Sequence, residues 1–147
     1  MIFGKKKKVQ EPAPAPGPIV EFERTYPSLS RFKGTKKLHV TTYGDIYHGM
    51  ENAMQLLGDE DKIYSSGKEI TLSGFKYENG TGIRVALDGT HLGVVWTGPE
   101  PAEAYSAAYS GSIEGVFVLI ERDGAYNAET KEIEPRAKVS LFVKLPE

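Results

Sequence analysis

The sequence predicts a mainly β fold with two short helices, an α+β protein whose sheet curls into a small barrel of five or six strands. Three observations carry this expectation. Ile83, Val85 and Leu87 alternate with Arg84 and Ala86, and Leu92, Val94 and Trp96 alternate with His91 and Gly93, on either side of Asp88-Gly89. Alternation marks strands, and Asp-Gly suits the type I′ hairpin turn, which needs positive φ at both central residues. Next, Met50, Ala53, Met54 and Leu57 recur at helical spacing, as do Tyr105 and Tyr109 in an alanine-rich stretch. Finally, two short helices are too few to cover both faces of a flat sheet, so the strands are expected to curve around their own core.

Along the chain, residues 1–18 combine four consecutive lysines (5–8) with alternating Pro and Ala, a composition that holds a solvated, extended leader. Residues 19–37 contain Ile19, Val20, Phe22, Tyr26, Leu29 and Phe32, too apolar for a free linker, and are expected to lie across the body as an extended arm. The domain proper is expected from 38 to 147, beginning with a strand at 38–43 that Gly44 ends. The helix at 49–57 follows, with Gly58 placed for a left-handed cap, and then a polar loop at 59–62. Residues 68–77 alternate up to Gly74, where Phe75 breaks the phase and a bulge or bend is expected. Asn79-Gly80-Thr81-Gly82 is a turn leading into the hairpin. Pro99 and Pro101 stand where a helix starts, and Gly111 closes the helix at 102–109. The apolar run at 113–122 predicts a strand buried on both faces. Residues 123–135 predict a long, mobile polar loop, and 137–145 a last strand with Val139, Leu141 and Val143 on one side and Phe142 on the other.

The chain has 147 residues, room for one domain with a core. It has no cysteine, which excludes disulfide scaffolds, thiolate metal sites and cysteine nucleophiles. No apolar run approaches the ~20 residues of a membrane-spanning helix. The opening order, apolar then basic, is the reverse of a secretory signal, so the expected location is the cytoplasm. The net charge of −2 conceals an asymmetry: residues 1–37 carry nine Lys/Arg and three Asp/Glu (net +6), and residues 38–147 carry nine and seventeen (net −8). An acidic body disfavours phosphate unless the basic segment compensates.

Catalytic chemistry finds little support. His39, His48 and His91 lack the paired spacing of metal ligands, and Asp59-Glu60-Asp61 lacks the glycine and alternation of a calcium loop. No nucleophile elbow or phosphate-loop lysine motif occurs, so no catalytic residue, metal or cofactor is expected. Binders of single-stranded nucleic acid combine a basic groove with exposed aromatic rings. Rings are plentiful, among them Tyr43, Tyr47, Tyr77 and Trp96, but the groove is not visible in the sequence. The competing reading of each ring is core packing, favoured for Trp96 because it continues the phase of Leu92 and Val94.

Gly82-Ile83-Arg84-Val85, then Asp88-Gly89-Thr90-His91-Leu92-Gly93-Val94-Val95, the alanine-rich helix, and Gly111-Ser112-Ile113-Glu114-Gly115-Val116 together resemble the HIRAN domain, over about residues 68–122. The resemblance implies a compact barrel, related in kind to SH3- or OB-like barrels, that recognises single-stranded DNA ends. Carried over position by position, it implies a site at Tyr43 and Tyr47, Tyr77 and Asn79, and Trp96. The family's Asn-Pro-Tyr-Asp loop is absent, and no Lys or Arg directly follows Val95. Two expectations therefore stand side by side: a module binding single-stranded DNA, and a protein-interaction module that has kept the barrel and lost that site.

Overall fold

The Asp-Gly hairpin organises one half of the molecule. Strands β5 (Gly80–Leu87) and β6 (Thr90–Thr97) pair antiparallel across a turn in which Asp88 has φ 48° and Gly89 φ 82°, the signs a type I′ turn requires. The computed structural model describes residues 19–42, 48–77, 80–97 and 102–146, with Tyr77 defined by its backbone alone. The leader at 1–18, and with it the lysine run, lies outside the described residues. Eight strands and two helices are present among those described. They run β1 (Ile19–Pro27), β2 (Lys36–Val40), α1 (Gly49–Leu57), β3 (Lys62–Tyr64), β4 (Glu69–Tyr77), β5, β6, α2 (Ala102–Ser110), β7 (Gly115–Asn127) and β8 (Glu132–Lys144).

The strands form two antiparallel four-stranded sheets, ordered β1-β4-β5-β6 and β2-β8-β7-β3. The closed barrel of five or six strands is not formed among the described residues. Where a barrel would continue its ladders, point contacts join the sheets instead. At one junction Thr41 exchanges both backbone hydrogen bonds with Val94 of β6, at 2.8 and 3.0 Å, as an isolated bridge. At the other, the Ser28 N–H donates to the Lys68 carbonyl and the Leu29 N–H to that of Val116. Buried Ser65 reinforces this second junction: its Oγ accepts from the Val118 N–H at 2.7 Å and shares a hydrogen bond with Ser28 Oγ.

The core lies between the sheets. Ile70, Leu72, Ile83, Val85, Val118, Ile120, Val139 and Leu141 are fully buried in it, together with Ala53 and Leu57 of α1 and Ala104 and Ala108 of α2. Each helix is held at its C-terminal end by an arginine from a distant strand. Arg24 of β1 donates to the carbonyls of Ala108 and Tyr109, and Arg122 of β7 to those of Gly58 and Glu60. Neither helix has a basic residue in its own last turn, so these guanidiniums supply positive charge and donors to carbonyls at or just beyond the helix ends.

Three expectations are corrected. The 19–37 arm is indeed extended, but it is part of the fold: β1 pairs with β4, and β2 starts at Lys36. The bulge expected at Phe75 lies on the partner strand. The β4–β5 ladder runs regularly through Gly74 and Phe75, and the shift occurs between Val20 and Phe22 of β1. The loop at 123–135 is a continuous β7–β8 hairpin. Its turn is closed by Asn127, whose Oδ1 accepts from the N–H groups of Glu129 and Thr130. The expected burial of β7 on both faces is observed from Gly115 to Ile120, because the chain from Leu29 to Phe32 crosses the outer face over Phe117 and Phe142.

Candidate functional site

The ladder between β5 and β6 slips by one residue. Val85 pairs with Gly93 and Ala86 with His91, so Leu92 is the extra residue of a bulge. A bulge reverses which side chains face inward beyond it. Val95, paired with Ile83, turns to the core, and Val94 and Trp96 turn to the outer face. Trp96, expected in the core from its phase with Leu92, is 54% exposed for this reason. The bulge also brings Gly93 against the Thr41 backbone at the junction of the sheets.

Trp96 stands edge-on to Phe75, with ring centroids 5.7 Å apart and planes at 80°. Phe75 is buried because Gly82, its cross-strand partner, has no side chain: a Cβ there would lie 2.6 Å from the phenyl ring. The Arg84 guanidinium sits 5.0 Å from the centroid of the same ring. The sequence-based site omits Phe75 and Arg84, although the alternation of Ser73 and Phe75 on one face of β4 puts the phenyl ring beside Trp96. The result is an outward-facing indole, braced by a phenyl ring and accompanied by a cation. Such a surface stacks on planar rings and tolerates a nearby negative charge.

Tyr43, Tyr47 and Asn79 lie outside the described residues. Tyr77 ends β4, where its backbone pairs with Gly80, and its side chain is not described.

Antiparallel register adds His39, a residue whose sequence context indicates a surface or strand-packing role. From the Thr41–Val94 bridge, two residues back along β2 and two forward along β6 lead in the same direction, to His39 and Trp96. Both side chains occupy the outward phase of their strands, and both are exposed. Beside His39, where β2 leaves β8, a cleft of about 280 Å³ opens between Thr42, Asp123, Arg136 and Lys138, with Met50 at its wall. Its charges are mixed.

A half-buried polar pair joins α2 to β1. Tyr105 of α2 donates its hydroxyl to the carboxylate of Glu21, the extra residue of the β1 bulge. Burial, and then this carboxylate, push the phenol well above its ordinary pKa, so it stays protonated and acts as a structural donor. No group of three or more His, Asp or Glu side chains able to hold a metal ion occurs among the described residues, and no helix among them is long and apolar enough to cross a membrane. No family model matches the chain, and no curated protein or solved structure is significantly similar to it.

Proposed function

We propose that the chain is a non-catalytic binding module, HIRAN-like in kind, that takes single-stranded nucleic acid with Trp96 as a stacking ring. The observation that carries the proposal is the half-exposed indole on the outer face, braced by Phe75 and beside Arg84. An apolar ring this large is left in water only at an energetic cost, and a base stacked on it recovers roughly 1–3 kcal/mol. Because Trp96 is the one tryptophan in the chain, its fluorescence reports on that face alone. Titration with a single-stranded oligothymidylate at low salt should quench it saturably, and added salt should restore it. Unchanged fluorescence up to about 100 μM strand, the weak end of non-specific binding, would refute the proposal.

A second reading, docking to another protein, is favoured by one observation. Tyr126 and Ile133 form an exposed cross-strand pair far out on the β7–β8 hairpin. That reading gains if the indole ignores nucleic acid while Tyr126→Ser changes the association state of the chain in sedimentation.

A further inference from the structure

The outer face of the β2-β8-β7-β3 sheet carries a second aromatic surface, and its charge sets it apart from the rest of the body. Phe32 stacks on Phe142 with centroids 4.6 Å apart and leans on Phe117 at 5.6 Å, and Tyr64 approaches Phe117 from the other side at 6.0 Å. The inner rings are buried, but Phe32 is 43% and Tyr64 49% exposed.

The surrounding cations come from three places in the chain. Lys37 pairs in register with Phe142, Lys144 with Gly115, and Lys138 with Glu121, so all three share the face of these rings. Lys62 bridges Glu121 at 3.8 Å, and Arg31 and Lys33 flank Phe32 in the crossing segment. On this face Lys37, Lys62, Lys138 and Lys144 share register with one carboxylate, Glu121, and the Asp123–Arg136 pair follows further out, within a body whose residues 38–147 sum to −8. Of the basic residues counted with the leader, Lys37 belongs to this folded face, and Arg31 and Lys33 lie in the segment that crosses it.

The two aromatic surfaces adjoin. Trp96 leads to His39 across the junction, and the His39–Ser140 pair lies two residues along the ladder from Lys37–Phe142, on the same face. We infer that this face continues the binding surface begun at Trp96, so that a single strand of nucleic acid runs from the indole over His39 to Phe32 and Tyr64, its phosphates drawn by Lys37, Lys138 and Lys144. The inference rests on the proposed function and deepens it by naming the strand's path. A single strand is the occupant that fits, because bases supply planar rings to stack on the two exposed ones and the backbone supplies the charge the lysines complement. A duplex hides its bases, and an acidic peptide has no run of rings.

The test uses the full chain and a labelled oligothymidylate in anisotropy titrations across a salt series, with Trp96 fluorescence recorded in parallel. Lys37→Glu with Lys144→Glu leaves the apolar packing in place, and Phe32→Ala removes the outermost ring. Each variant should weaken binding roughly tenfold or more. The lysine pair should also flatten the log–log salt dependence by roughly 0.7 for each phosphate no longer neutralised, which a merely structural role would not do. Tyr126→Ser, on the remote hairpin, should bind as wild type.

If the variants retain wild-type affinity and salt slope while the indole is still quenched, the path is overturned and the proposed function stands. If the wild-type chain binds no single strand, both fall. Equal affinity for duplex, or binding to anionic vesicles in place of the strand, would overturn the path as well.

Discussion

At Gly93 the backbone adopts φ 147°, and a Cβ there would lie 2.3 Å from the Thr41 carbonyl oxygen and 2.8 Å from Val40 Cγ1. That carbonyl accepts the Val94 N–H in the bridge between the sheets, so the alanine variant must both strain its backbone and push the junction apart. Gly93→Ala should cost about 2–4 kcal/mol in urea unfolding. Gly34→Ala, at φ 77° with open space around it, should cost only about 1 kcal/mol, from the backbone conformation alone. Tyr105 yields a prediction in pH. Its folded pKa lies above the ordinary value of 10.0, so its contribution is fully present below pH 10.0 and is lost as pH rises toward the folded pKa. Stability should therefore fall in alkali, with tyrosinate absorbance from Tyr105 appearing last, and Tyr105→Phe should remove that part of the pH dependence. The need for glycine at 93 is legible in the sequence only as a resemblance. Its cause, a second strand arriving from fifty residues away, is tertiary and leaves no local mark.

Among the elements, both helices and the Asp-Gly hairpin are legible because their determinants are local: apolar spacing, a closing glycine, a turn dipeptide. The arginines at the helix ends are not, since Arg24 acts on residues 84 and 85 positions away. Arg24→Gln and Arg122→Gln should each cost about 1 kcal/mol and shorten amide protection in the last turn of α2 and α1 respectively, as hydrogen exchange will report. The outer β7–β8 hairpin is hidden for the opposite reason. Past Arg122 its residues are largely exposed on both faces, so no alternation of polar and apolar residues arises, and hydrogen bonds around Asn127 hold the turn. Glu134, whose pKa is lowered by hydrogen bonds from Asn127 and then Arg136, stabilises this hairpin above its unfolded value of 4.5. That support is lost as pH falls through the lower folded value. Amide exchange at the turn should quicken on acidification, and Asn127→Ala should reduce the difference, leaving the part owed to Arg136.

For the whole molecule, alternation along the chain reveals which residues are inside but not how the strands are shared between sheets. The choice between a barrel and two bridged sheets depends on where ladders stop, and a single pair, Thr41 with Val94, stands where a ladder would otherwise run. Charge misleads for a related reason. Counting along the chain sets basic residues 31–37 apart from the acidic body, whereas the crossing segment lays Phe32 over Phe117 and Phe142 and β2 sets Lys37 beside Phe142. Trp96 reads as inward because one extra residue, Leu92, reverses the phase of β6, and a bulge is invisible to a period of two. The outer surface that results joins exposed rings to cations across both sheets. Backbone and side-chain NMR of the full chain, titrated with oligothymidylate at low salt, tests that union most directly. Shifts concentrated at Trp96, His39, Phe32, Tyr64 and Lys37, with Tyr126 and Ile133 still, are the expected result. Perturbation confined to the β7–β8 hairpin, or none anywhere, would contradict it.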